Sequence, residues 1–279
     1  MKVGINLLLW TDAPDSGSFA IFESLKKTGY DCVELPIYDQ SLQEITAIGH
    51  KLDELELSRT AATTCSPGEN LASADSVIRH AGVSALKKRL DRCAVAGCDM
   101  LVGPLHSTLG TFTGKFPTED EFHWSADALY EVAEYAQSVE VHLALEPVNR
   151  FECYLVNTVA QGVKLVKLVG HEFCGLMYDT FHAHIEEKDV QKAIVAAKDF
   201  LIHVHISEND RGIPGTGQVR WQETFDALRQ IEYDGSVVIE AFGSALPKLA
   251  AATRIWRPMF TSEQQLVRDG LAFIRKNTE

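Results

Sequence analysis

The sequence has few cysteines, and they are not spaced as a metal-binding or redox pair. The six cysteines stand at positions 32, 65, 93, 98, 153 and 174 of 279 residues. None forms a Cys-x-x-Cys motif, which argues against a thiolate zinc knuckle and a thioredoxin-type site. The N-terminal run from Ile5 to Trp10 is too short for a secretory segment and contains Asn6. We therefore expect free, buried thiols and a cytoplasmic protein.

Long hydrophobic runs and an excess of positive charge are also lacking. No apolar segment approaches the roughly 20 residues that a membrane span needs. The chain carries 26 Lys and Arg against 39 Asp and Glu, a net charge of −13 at neutral pH. That charge repels nucleic acid and anionic membranes, and it disfavours highly phosphorylated substrates. A neutral small molecule is the expected partner.

Short apolar runs alternate with longer amphipathic ones along the whole chain. The runs are apolar at their starts and polar at their C-terminal ends, as in parallel strands that are covered on both faces. The predicted strands are 2–10, 31–38, 58–65, 99–106, 141–148, 175–181, 201–207 and 236–242. Eight strands alternating with helices predict an α/β protein with a single (β/α)₈ TIM barrel domain over residues 1–279. An open, doubly wound sheet is the main rival, but no GxGxxG motif follows the first strand.

The predicted helices cover 19–28, 84–96, 118–139, 159–169, 190–198 and 221–231. Glycines follow several of them, as is usual where helices end. The connections 66–81 and 106–117 are long for this fold. We therefore expect them to act as lids over the site.

Four predicted strand ends each carry a residue of a metal-ligating type. They are Glu146 in LALEP, Asp179 in LMYDTFH, His205 in HVHIS and Glu240 in VVIEAF. Consecutive members are about one βα unit apart, roughly 30 residues, so strands five to eight would bring them to the C-terminal rim where barrel active sites lie. Three carboxylates and one imidazole suit Mn²⁺, Mg²⁺ or Co²⁺ better than thiol-seeking metals.

Each of these residues also has a simpler interpretation. A glutamate at a strand end is often only solvated or salt-bridged, and Asp179 could be the N-cap of a helix. His205 could be a hydrogen-bonded core histidine, and His203, two residues earlier, faces the same side and competes for its role. The joint spacing of all four favours a metal site over coincidence.

The segments that carry these residues resemble the D-tagatose 3-epimerase family, which includes the D-allulose (psicose) and L-ribulose 3-epimerases. They are 145–152 (LEPVNRFE), 177–187 (MYDTFHAHIEE), 203–219 (HVHISENDRGIPGTGQV), 239–242 (IEAF) and 255–258 (IWRP). The resemblance implies a xylose-isomerase-like barrel and one divalent metal ion per chain, Mn²⁺ or else Co²⁺ or Mg²⁺. It also implies a homodimer or homotetramer. The first strand departs from the family, with Asn6, Leu7 and Leu8 where aromatic residues are usual.

By position, the resemblance implies that Glu146, Asp179, His205 and Glu240 hold the metal. Glu152, His182 and Arg211 would contact the substrate. The implied reaction is ketose 3-epimerisation through a cis-enediolate, with Glu146 and Glu240 as acid and base.

Other enzyme classes use similar residues. A pair of rim glutamates also fits a two-carboxylate glycoside hydrolase, in which Asp179 and His205 would have no role. An aldose–ketose isomerase of the same barrel type stays open. A metal-dependent endonuclease is disfavoured by the acidic charge, and a silent sugar-binding module is disfavoured by the retention of both glutamates.

Overall fold

The strands form a closed barrel. The computed structural model describes residues 1–278, and their strands are Lys2–Asn6 (β1), Cys32–Pro36 (β2), Ser58–Ala62 (β3), Met100–Gly103 (β4), His142–Leu145 (β5), Cys174–Asp179 (β6), Leu201–Ile206 (β7) and Ser236–Ile239 (β8). Neighbours in the chain pair in parallel, and β1 pairs with β8 to close the ring. The predicted (β/α)₈ barrel is confirmed.

Helices connect the strands on the outside. They are Phe19–Thr28 (α1), Leu42–Glu54 (α2), Ser76–Ala96 (α3), Glu119–Ser138 (α4), Val159–Val169 (α5), Thr180–Glu186 (α6), Val190–Ala196 (α7), Trp221–Gln230 (α8), Pro247–Ala252 (α9) and Glu263–Thr278 (α10). Local signals set several ends. Thr118 caps α4 through the amide of Glu121, whose carboxylate binds Thr118 in return. Gly97 and Gly170 end α3 and α5 in the left-handed conformation, with φ of 71° and 63°.

Side chains alternate between the inside and the outside of the barrel. Leu101, Leu143 and Leu176 belong to the large core shared with the helices. The residues beside them in sequence, such as Val102, Ala144 and Met177, form a separate small cluster. The inside of the barrel is therefore packed at this level, and it supports the rim above it.

The first strand is shorter than predicted. β1 stops at Asn6, and Leu7–Leu9 form a 3₁₀ turn in place of the predicted continuation to residue 10. The Asn6 side chain accepts a hydrogen bond from the amide of Leu8 at 2.8 Å, which caps the turn and ends the strand.

The first predicted lid is also shorter than the interval 66–81. Residues 76–81 are the opening of α3, because Asp75 accepts a hydrogen bond from the amide of Val77 and acts as the N-cap. In the second interval, 106–117, His106 and Ser107 are fully buried, whereas Phe112 and Phe116 are exposed. The lid prediction therefore narrows to 66–75 and the outer part of 106–117, and it stays a prediction.

Two expectations about the chain as a whole can be compared with the structure. All six cysteines are free and buried, as expected. Among residues 1–278, no helix combines the length and the apolar character needed to cross a membrane.

Candidate active site

The four predicted ligands stand at neighbouring ends of the last four strands. Asp179 and His205 lie in β6 and β7, and Glu146 and Glu240 directly follow β5 and β8. The amide of Glu146 donates to the Gly103 carbonyl at 2.9 Å, and that of Glu240 donates to the Ile206 carbonyl at 3.1 Å. Both glutamates therefore stay tied to the adjacent strand although their own strands have ended.

These side chains converge around Asp179. Ligand atoms of Asp179, His205 and Glu240 lie within 4.8 Å of one another, and those of Glu146, Asp179 and His182 form a second such group. Glu146 and Glu240 are 6% and 8% exposed, and Asp179 and His205 are more deeply buried. Buried carboxylates at this density require a cation or protons.

The two oxygens of Asp179 have different partners. Oδ1 accepts hydrogen bonds from the amides of Phe181 at 2.6 Å and His182 at 3.4 Å, as the N-cap of α6. Oδ2 faces Arg211 Nη1 at 3.2 Å and His205 Nδ1 at 3.7 Å. The N-cap interpretation is correct, and it uses only Oδ1; Oδ2 accepts from Arg211 and faces the cluster.

His205 presents its Nδ1 to the acidic residues. Nδ1 lies 3.7 Å from Asp179 Oδ2 and 3.6 Å from Glu240 Oε1. It is buried, and no residue in 1–278 forms a hydrogen bond with it. His203, the competing candidate, lies 2.9 Å from Glu34, which His205 also contacts through Nε2 at 2.7 Å. A buried nitrogen without a partner, between two carboxylates, fits a divalent cation.

Burial and neighbouring charges shift the protonation of the cluster. Burial raises the pKa of Glu146 well above its usual value, and the charges of Glu240 and Asp179 raise it further. Burial opposes the charged form of Asp179, but Arg211 and His182 hold its pKa below the usual range. Burial would lower the pKa of His205, but Glu34 and Glu240 raise it well above the ordinary value. A cation bound here has to displace protons.

Arg211 reaches into the cluster from the loop after β7. Its Nη1 donates to Glu240 Oε2 at 2.6 Å and to Ser207 Oγ at 2.9 Å. Its guanidinium carbon stacks 3.8 Å from the centre of the Phe181 ring. Its backbone is left-handed, with φ of 63°, which costs a non-glycine residue about 1–2 kcal/mol. The surrounding loop must therefore hold it in place.

A buried glutamate, Glu208, organises that loop, and the sequence reasoning missed it. Its carboxylate is fully buried and accepts from the amides of Asn209, Gly215 and Val219 and from the indole of Trp221, at 2.9 to 3.2 Å. Its carbonyl accepts from the Arg211 amide at 2.9 Å. Four N–H donors satisfy both buried carboxylate oxygens without a basic side chain.

His182 and Glu152 are linked through Asn149. The backbone amide and the side-chain amide of Asn149 lie 3.1 and 2.9 Å from His182 Nδ1, and the side chain also donates to Glu152 at 2.8 Å. Burial lowers the pKa of His182 to about 3, so the ring is neutral. Its Nε2 lies 3.2 Å from Arg211 Nη2 and 3.5 Å from Glu146 Oε1.

A cavity of about 450 Å³ opens above the cluster. Glu146, Glu152, His182, Arg211 and Glu240 line it together with apolar side chains. Every residue that the sequence predicted to contact a substrate therefore faces one space, together with the two glutamates that were assigned as acid and base. The cavity is large enough for a small ligand.

A second buried glutamate that the sequence reasoning missed lies beneath the cluster. Glu34 in β2 contacts Asn6, Thr60 and both histidines of β7. Its only sequence signal was an acidic residue inside an apolar strand, Cys32–Pro36.

Comparison with known proteins gives a consistent result. The sequence pattern of the family described as Xylose isomerase-like TIM barrel matches residues 22–277. A probable ketose 3-epimerase of Synechocystis sp. is 32% identical over 279 residues, covering 99% of this chain and 96% of that protein. An L-ribulose 3-epimerase of Methylomonas sp. is 30% identical and covers 99% and 97%.

Solved structures are similar over the whole chain. An L-ribulose 3-epimerase superimposes with a TM-score of 0.93 at 31% identity, covering 99% of this chain and 94% of the other. A D-psicose 3-epimerase of Clostridium cellulolyticum, solved with D-tagatose, gives 0.90 at 31% identity, covering 100% of both chains.

Proposed function

This chain belongs to the xylose isomerase-like TIM-barrel family, and within it to the ketose 3-epimerases, which are carbohydrate isomerases; from that premise we propose that it inverts C3 of a free ketose with the help of one divalent metal ion. The observation that carries the proposal is the convergence of Glu146 and Glu240 on the group formed by Asp179 and His205. The candidate reactions are the interconversions of D-tagatose with D-sorbose, of D-fructose with D-allulose, and of L-ribulose with L-xylulose.

The donor set fits a divalent cation. Glu146, Asp179, His205 and Glu240 would hold it, and their oxygen-rich composition favours Mn²⁺, with Co²⁺ and Mg²⁺ as alternatives. When bound, such a cation supplies Lewis-acid stabilisation of the negative charge that develops on ketose oxygens.

The two glutamates provide the proton transfers. Epimerisation at C3 requires that a proton leave one face of the carbon and that another arrive on the opposite face. Glu146 and Glu240 come from β5 and β8, two strands on either side of the β6–β7 pair. One carboxylate removes the proton, and the other, in its acid form, returns one.

His182, Arg211 and Glu152 orient the sugar. His182, Arg211 and Glu152 line the cavity. The guanidinium of Arg211 can donate to sugar oxygens, the imidazole of His182 can hydrogen-bond to a sugar hydroxyl, and Glu152 can accept from a terminal hydroxyl. The segments 66–75 and 109–117 would close over the sugar, because an enediolate must be protected from water. The assembly would be a homodimer or homotetramer.

The test is product analysis. The Mn²⁺-loaded protein is incubated separately with D-fructose, D-tagatose and L-ribulose, and the products are identified by chromatography. We expect C3 epimers, with turnover reduced by orders of magnitude in Glu240→Gln, which keeps the size of the side chain but not its charge. Glu223→Gln, half exposed on α8, is the matched control. Products altered at C1 or C2 alone, or full activity in Glu240→Gln, would contradict the proposal.

A further inference from the structure

Glu34 lies at the centre of a buried polar network inside the barrel. Its side chain is fully buried, and the pairing of β1, β2 and β3 places it level with Asn6 and Thr60. Asn6 Nδ2 donates to Oε1 and Thr60 Oγ1 donates to Oε2, both at 2.8 Å. From the opposite wall, His205 Nε2 lies 2.7 Å from Oε1 and His203 Nε2 lies 2.9 Å from Oε2.

The orientation of Asn6 is fixed independently of Glu34. Its Oδ1 accepts a hydrogen bond from the backbone amide of Leu8 at 2.8 Å, so its NH₂ group is the one that faces Glu34. Oε1 is therefore an acceptor toward Asn6, and it has a second lone pair toward His205. The 2.7 Å contact is a hydrogen bond that His205 donates from Nε2.

This hydrogen bond determines which nitrogen of His205 is available to a ligand. With Nε2 committed to Glu34, only Nδ1 can use a lone pair. Nδ1 is buried and has no hydrogen-bond partner among residues 1–278, and it lies 3.7 Å from Asp179 Oδ2 and 3.6 Å from Glu240 Oε1. Metal-binding histidines commonly donate their second nitrogen to a carboxylate, which fixes the tautomer and the ring orientation.

We infer that Glu34 is a positioning residue: it holds His205 so that Nδ1, and not Nε2, binds the divalent cation. The inference rests on the proposed metal site and adds a residue on β2, far from the ligands in sequence. Asn6 and Thr60 hold the carboxylate of Glu34, and His203 packs against its second oxygen. This places His203 in support of the site and not among its ligands.

Two substitutions of Glu34 distinguish the loss of its hydrogen-bond acceptor from a change in its side-chain volume. Glu34→Gln keeps one oxygen, which can accept from His205 and Asn6. Its NH₂ group can donate to Thr60 Oγ1 and to an unprotonated His203 Nε2. Glu34→Leu has a similar volume and no acceptor. Thr60→Val, which removes one bond to Oε2 and leaves Oε1 untouched, is the matched control.

Affinity for Mn²⁺ is measured first, by electron paramagnetic resonance of the free ion. We expect Glu34→Leu to weaken binding by about 10- to 100-fold, the usual range for such partners. Glu34→Gln should retain most of the affinity, and Thr60→Val should weaken binding less than Glu34→Leu. Equal affinity in wild type and Glu34→Leu overturns the inference alone. Failure of the wild type to bind Mn²⁺ overturns both the inference and the proposed function.

The second measurement needs no variant, so it also holds if Glu34→Leu does not fold. In Zn²⁺-loaded wild-type protein labelled with ¹⁵N-histidine, we expect a metal-bound Nδ1 and a protonated Nε2 in His205. Coordination through Nε2 overturns the inference and leaves the metal site intact.

Discussion

The substitution Glu208→Gln tests how the loop that carries Arg211 is held. Each carboxylate oxygen of Glu208 accepts from two N–H groups: Asn209 and Val219 bind Oε1, and Gly215 and Trp221 bind Oε2. Glutamine keeps the size but replaces one oxygen by NH₂, so two N–H donors in buried or partly buried contacts lose their acceptor. At about 1–3 kcal/mol for each unsatisfied group, the loss of stability is about 2–6 kcal/mol.

The assay is urea unfolding followed by circular dichroism. The control is Glu223→Gln on α8, whose side chain is half exposed and lies 3.6 Å from Arg220; such a pair contributes at most about 1 kcal/mol. We expect a clear drop in the unfolding midpoint for Glu208→Gln only, and a higher KM for the sugar because the loop that carries Arg211 is held less firmly. If both variants unfold at the wild-type midpoint, the carboxylate does not hold this loop.

Three further predictions concern the metal and the lids. Mn²⁺ should bind more tightly as the pH rises and should release protons on binding, because the pKa values of His205 and Glu146 are raised and the cation must displace their protons. Calorimetry in buffers of different ionisation enthalpy measures the number of protons released. An affinity that does not change with pH would contradict the prediction. Chelation should abolish epimerisation, and Mn²⁺ or Co²⁺ should restore it. Segments 66–75 and 109–117 should exchange amide hydrogens more slowly with saturating ketose, whereas unchanged exchange would argue against lids.

The arrangement of the rim could be predicted from the sequence because the fold repeats. One βα unit separates each pair of neighbouring strand ends, so Glu146, Asp179, His205 and Glu240 had to come together once the barrel was recognised. The start of α2 could also have been found, since Ser41 and Glu44 form a capping box.

The supporting residues could not be assigned because their partners are distant in sequence. Glu34 meets His205 across the inside of the barrel, 171 positions away. Glu208 follows β7, and its role depends on how the next thirteen residues fold back onto it. Neither contact produces a periodic pattern, and a buried carboxylate becomes interpretable only when its donors are known.

The central claim is that two carboxylates exchange a proton at C3 of a ketose. In D₂O, the carboxylate that returns the proton can first exchange with solvent, so the epimer should carry deuterium at C3, and so should recovered substrate after many turnovers. Proton NMR of the sugar pool after partial conversion measures this. Loss of the C3 proton signal is the expected result. Full retention at C3, or label at C1 or C2 instead, would contradict the account.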